Sequence, residues 1–106
     1  MGFSREQLIR EALEADPNDP LVHFAAGAFY DSERRFEEAV AAYRHAVQLN
    51  DQYSAAWLGL ARACSALDEE DDARAAYQAA IEAAQARGDL KVRNEAQAEL
   101  EQPDEF

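Results

Sequence analysis

Lysine is almost missing from this chain: Lys91 stands alone among ten cationic residues, which face 22 acidic ones for a net charge of −12. Surfaces that bind phosphate need clustered cations, so nucleic acid and anionic membrane are excluded as partners. Cysteine is equally scarce. Cys64 is the only one, which rules out an intrachain disulfide and fits a reduced, cytoplasmic setting. No apolar run is long enough to span a bilayer. The start, Met1-Gly2-Phe3-Ser4-Arg5-Glu6, lacks the apolar stretch of a secretory signal, and Glu6 stands where a myristoylation pattern wants Ser or Thr. There is no GxSxG, Walker loop, CxxC or HExxH, so neither an enzyme nor a cofactor is expected.

Hydrophobic residues make up 48% of the 106, but alanine dominates them, and alanine supplies helix propensity more than core volume. An all-α domain follows. The acidic excess has three readings: solubility, adaptation to a salty cytoplasm, or a surface that attracts basic peptides.

From Pro20 to Arg87 one segment of about 34 residues is written twice. Gly27 is answered by Ala61, Ala39 by Ala73, Tyr43 by Tyr77, Ala46 by Ala80 and Val47 by Ile81. A tandem period of this length marks a solenoid, in which each helix pair buries its apolar face only by stacking on a neighbour.

In chain order, Ser4 caps a first helix with Leu8, Ile9, Ala12 and Leu13 at helical spacing, ended by Asp16-Pro17-Asn18-Asp19-Pro20. Pro20 is expected at the first position of the next helix, whose stripe is His23, Ala26, Gly27 and Tyr30. Gly27 inside a helix costs about 0.5–1 kcal/mol against alanine and so implies close approach of a neighbour. Phe36 to Leu49 carries the partner stripe, and Ala55 to Ala66 and Ala73 to Arg87 repeat the pair, with Ser54 as cap. Gly88 suits a left-handed helix end. A last helix near Leu90 to Glu101, with Val92, Ala96 and Leu100, has the thin stripe of a cap.

The stripes His23-x2-Ala26-Gly27-x2-Tyr30 with Ala39-x3-Tyr43, and Trp57-x2-Leu60-Ala61-x2-Cys64 with Ala73-x3-Tyr77, resemble the tetratricopeptide repeat pattern. Departures are His23 for the aromatic residue, Cys64 for Tyr, and Asp51 and Gln85 where Pro is usual. Gly88, Asp89 and Val92 add a similarity to small bacterial single-domain members. The resemblance implies about six helices in a right-handed superhelix of antiparallel pairs. Its divisions are a flexible start (1–3), a half repeat (4–15), repeats at 20–53 and 54–87, a capping helix (90–101) and a flexible acidic tail (102–106).

The resemblance also implies a protein-interaction module whose first helices line a concave groove for a peptide or partner helix. The groove residues carried over are Leu21, Phe24, Ala28 and Asp31 from one unit and Ala55, Leu58, Arg62 and Ser65 from the next. Family members that clamp acidic tails use Lys and Asn there, where this chain has Phe24, Ala28 and Gly59, so a basic ligand or one with an apolar anchor is favoured. Phe24 and Leu58 are expected to form one exposed apolar strip, with Arg62 as a cation beside it. The competing reading is a structural module in a larger complex or a weak homo-oligomer, with the groove filled by another copy, another domain or the capping helix.

The remaining reactive residues read as structure. Asp68 to Asp72 lacks the glycine and terminal glutamate of a calcium loop and suits a solvated helix start, so no metal is expected. His23 and Cys64 lie on core stripes and His45 on an exposed face. Trp57 is expected as a core anchor wedged between its own helix pair and the preceding unit.

Overall fold

Local chemistry sets the helix ends in this computed structural model, which describes residues 4–102. The expected flexible start, and the expected acidic tail beyond Gln102, lie outside those residues. Ser4 Oγ accepts from Gln7 N at 3.1 Å and opens α1 (Arg5–Ala15). Asp19 accepts from Leu21 N at 2.9 Å, and Pro20 takes the first position of α2 (Pro20–Ser32), where its missing N–H costs nothing. Then follow α3 (Phe36–Leu49), α4 (Ser54–Ala66), α5 (Glu70–Arg87) and α6 (Leu90–Leu100).

The repeat reaches into the loops. Arg34 and Asp68 close the α2/α3 and α4/α5 turns with φ of 58° and 60°. In each, the next amide returns to the preceding helix, Arg35 N to Tyr30 O and Glu69 N to Cys64 O, the bond that ends a helix through a left-handed residue. Neither turn has the glycine that conformation favours. Gly88, with φ 72°, does so after α5.

Consecutive helices joined by short turns run antiparallel, and each packs on the next. Besides these neighbours, α2 touches α4 and α4 touches α6, whereas no comparable contact joins α1 to α3 or α3 to α5. The even-numbered helices thus crowd into an inner row and the odd-numbered ones spread outside it. This curves the body, an α-solenoid of 47 × 33 × 21 Å. The last helix stands to α4 as α4 stands to α2, so it extends the row rather than folding across it.

Alanine lets the helices approach: Ala26, Ala39, Ala46, Ala56, Ala61, Ala63, Ala80, Ala84 and Ala96 are fully buried. Tyr43 of α3 fills the space between α2 and α4. A Cβ placed on Gly27 would lie 2.6 Å from its Cδ1, and one on Gly59 2.6 Å from its Cζ. The close neighbour implied by Gly27 is therefore a ring, and Gly59 meets the same ring instead of facing a groove.

Trp57 meets the expectation only in part, packing against the core cluster without being enclosed by it. It is half-buried, and its indole N–H donates to Asp51 O at 2.8 Å on the surface. His23, at the same place in the preceding unit, has Nε2 2.7 Å from Pro17 O. The aromatic position of each unit thus ties its helix to the preceding turn while its ring packs on the core side: Trp57 lies against the core cluster and His23 is buried. Ser54 differs too: it lies inside α4, buried, and its hydroxyl donates to Asp89 Oδ2 at 3.0 Å. Asp89 Oδ1 accepts from Val92 N to cap α6. Cys64 is fully buried and burial pushes its thiol pKa up, as suits a small core hydrophobe.

Candidate functional site

The inner row presents α2, α4 and α6 side by side, and the residues assigned to a groove fall on the first two. Leu21 is open, at 61% exposure. Ala28 is exposed, and Phe24, Asp31 and Ala55 are partly so. The Phe24 ring packs against Tyr53 at 5.1 Å and Tyr43 at 5.8 Å between centroids. It is therefore a partly exposed member of an aromatic cluster.

Leu58 corrects the expected strip. It is 4% exposed and belongs to the core. The reason is its place in the row: α4 has α3 and α5 behind it and α2 and α6 on either flank, so a residue about 100° from the main stripe is still covered. Phe24 keeps an open edge because α2 lies nearer the end of the row. The apolar surface is consequently Leu21, Phe24, Ala28 and Ala55, without Leu58.

Arg62 is also not the free cation expected. Its guanidinium donates to Glu99 at 2.6 Å and to Glu95 at 3.3 Å, both on α6. Glu99 further accepts from the Tyr77 hydroxyl at 3.0 Å. Hydrogen bonding from Arg62, against opposing burial, holds the Glu99 carboxyl below the usual carboxylate range, and the same bonds raise the Arg62 pKa. Burial first, then the bond to Glu99, pushes Tyr77 up to about 12. One cation facing two carboxylates leaves the groove acidic on balance. Ser65 is exposed at the end of α4 and makes no side-chain hydrogen bond among the described residues.

Tyr43 is the repeat counterpart of Tyr77, and sequence reasoning assigned it only to the core. Its ring is 4% exposed, yet its hydroxyl has no hydrogen-bond partner among the described residues and is not sealed from solvent. Burial pushes its pKa up to about 12, with Asp31 raising it further and Arg62 opposing. Tyr53, Glu95 and Glu99 were also missed. Glu99 stands one repeat length after Ser65, which itself stands one repeat length after Asp31, so the period locates the position without foretelling its carboxylate. Tyr53 lies in a turn, where periodicity carries no signal.

Among the described residues no cluster of His, Cys, Asp and Glu could hold a metal ion, and no helix is long and apolar enough to cross a membrane. His23 and His45 pack ring against ring at 4.9 Å.

Comparison with known proteins bears on residues 4–100. A family model described as YpiA-like, tetratricopeptide repeats matches residues 4–51, and one described as Tetratricopeptide repeat matches residues 32–100. Among solved structures, the solution structure of a protein from Bordetella parapertussis is similar with a TM-score of 0.78 and 27% identity. That similarity covers 93% of this chain and 86% of that one. No curated protein matches.

Proposed function

Because the chain belongs to the tetratricopeptide repeat family, whose repeats generally mediate protein–protein interaction, we propose that it is a non-enzymatic adaptor whose inner row holds an extended segment or helix of a partner protein. The observation that carries this reading is the apolar set of exposed Leu21 and Ala28 with partly exposed Phe24 and Ala55, on an inner row that also carries the acidic groups Asp31, Glu95 and Glu99. An apolar patch rimmed by polar residues suits recognition. The single, buried and unpaired Cys64 suits a reduced cytoplasm.

Capture from a host lysate tests the reading, run in parallel with the wild-type chain and with a Leu21→Glu/Ala28→Glu variant. Both side chains are exposed, so the variant should keep its helical circular dichroism. A partner bound by the wild type should be lost from the variant, by at least tenfold in affinity once purified. Equal affinity of a purified partner for both would move the site off this groove. Sedimentation at several concentrations separates an adaptor from a self-associating module, and a wild-type dimer dispersed by the same variant would favour the latter.

A further inference from the structure

In the two complete units a first helix packs on a second, α2 on α3 and α4 on α5. Among the described residues α6 extends the inner row as a first helix with no second helix on it, and α1 is a second helix with no first helix before it. The C-caps of α1 and α3, Asp16 and Asn50, are one repeat length apart, so these helices compare residue by residue. On α3, buried Ala42 and His45 border one cleft with His23, Ala26 and Tyr30 of its own first helix, and the His45 ring lies 4.9 Å from that of His23. The matching residues of α1 are Leu8, 50% exposed, and Glu11, also exposed. An apolar side chain therefore stands open where a first helix is missing. On α6, Asp89 caps the helix as Asp19 caps α2. Counted from these caps, Arg93 holds the place of His23 and Leu100 that of Tyr30, and both are half-buried.

We propose that α6 of one molecule takes α1 of a second copy as its second helix, so that copies stack end to end in one continuous solenoid. Packed antiparallel, as α2 and α3 are, the pair sets Arg93 against Glu11 at the place where the two histidines meet, and lays Leu8 beside Leu100. The charges along both helices suit that direction. Lys91 and Arg93 stand in the first half of α6, with Glu99 and Glu101 at its end, while α1 begins with Arg5 and ends with Glu11 and Glu14. Glu6, the acid near the start of α1, is already held by Arg35. Antiparallel helices thus bring cations to acids at either end, and parallel ones would bring like charges together. The two surfaces are different patches, so the contact is heterologous and nothing closes the assembly. One helix pair is small beside a standard interface of about 800 Å² per partner, and the net charge of −12 on each copy opposes contact. Association is therefore weak and reversible. It uses the ends of the row and does not depend on the adaptor reading.

Sedimentation equilibrium of the full chain from about 10 μM to about 1 mM, in about 0.15 M salt to screen the repulsion between copies, provides the readout. The mean mass should climb past that of a dimer without levelling. Leu8→Glu, at an exposed position of α1, and Arg93→Glu, on α6, should each hold the chain as a monomer over that range while its helical circular dichroism is kept. Mixed in equal amounts, these two variants should form a heterodimer and stop there, because one retains an intact α6 and the other an intact α1. Glu11→Arg should also block growth, and Glu11→Arg/Arg93→Glu, which exchanges the two charges, should restore it. A wild-type chain that stays monomeric, a mass that levels at a dimer, folded end variants that associate like the wild type, or a mixture of Leu8→Glu and Arg93→Glu chains that remains monomeric would overturn the inference.

Discussion

Substituting Gly27 by alanine puts a methyl group 2.6, 2.7 and 2.9 Å from Cδ1, Cε1 and Cγ of Tyr43. Carbon atoms pack comfortably at about 3.5–4.0 Å, so ring and helix must part by about 1 Å. The ring cannot retreat freely, because its Cε1 would be 2.7 Å from a Cβ on Gly59 as well. Overpacking of this kind costs about 1–3 kcal/mol. Alanine returns about 0.5–1 kcal/mol through helix propensity, leaving a net loss of about 0.5–2 kcal/mol. For a domain of this size each kcal/mol is about 4–8 °C in Tm. The decisive measurement is a double-mutant cycle with Tyr43→Leu, followed by circular dichroism through heat and urea. With the ring gone the methyl group has room, and Gly27→Ala should become stabilising, a reversal worth about 1 kcal/mol or more of coupling. A Tm that rises on Gly27→Ala in the wild-type chain, or changes equally in both backgrounds, would show that the ring does not separate these helices.

Other substitutions check the remaining geometry. Leu58→Ala should cost about 2–5 kcal/mol as a core truncation, while Trp57→Phe, losing one surface-side hydrogen bond, should cost about 1 kcal/mol; the reverse order in urea unfolding would restore Trp57 as the anchor. Asp68→Gly should raise Tm, since glycine takes the positive φ found there without the strain of a side chain, and a fall would locate a role for the carboxylate that the turn does not reveal. Glu99→Gln should lower stability at pH 7. Because the folded-state pKa of Glu99 lies below its unfolded value, about 4.3 for a free glutamate, its contribution is complete above that value and fades as pH falls through the folded one. The gap between wild type and variant should therefore close in acid, and a gap independent of pH would count against the Arg62 pairing. Added NaCl should raise Tm by screening the net charge of −12; a flat or falling Tm up to molar salt would mean that the acidic surface is not under strain.

How far the sequence alone could reach depended on what each residue answers to. Tyr43 and Tyr77, Ala39 and Ala73, Ala46 and Ala80 answer to the stacking of one helix pair on the next, and that stacking recurs at the period in which the sequence is written. Leu58 answers instead to how many helices flank its own. Phe24 and Leu58 occupy the same place in their units, yet the second is shut in because α6 lies beside α4. Arg62 was misread for a related cause: its partners Glu95 and Glu99 come from a helix whose sequence no longer displays the pattern. The Tyr43 hydroxyl escaped notice because a core stripe locates a ring and says nothing of where its polar end emerges. The core reading of Trp57 was incomplete: its ring packs on the core cluster, and its bond to Asp51, matched one unit earlier by that of His23 to Pro17, adds a turn clamp.

The attachment of α1 has a consequence for any unfolding experiment. That helix buries none of its residues, packs only on α2, and is held by the Arg35–Glu6 pair at 3.0 Å and by Arg5 over the Phe29 ring. In a linear array coupled only between neighbours, such an end unit can open and close by itself. Its amide hydrogens should exchange with solvent at a small local opening free energy, while those of α4, packed against four other helices, wait for global unfolding. A circular dichroism melt then begins with a sloping baseline that belongs to α1 alone. A two-state fit that ignores this slope reads the departure of one helix as reduced cooperativity of the other five.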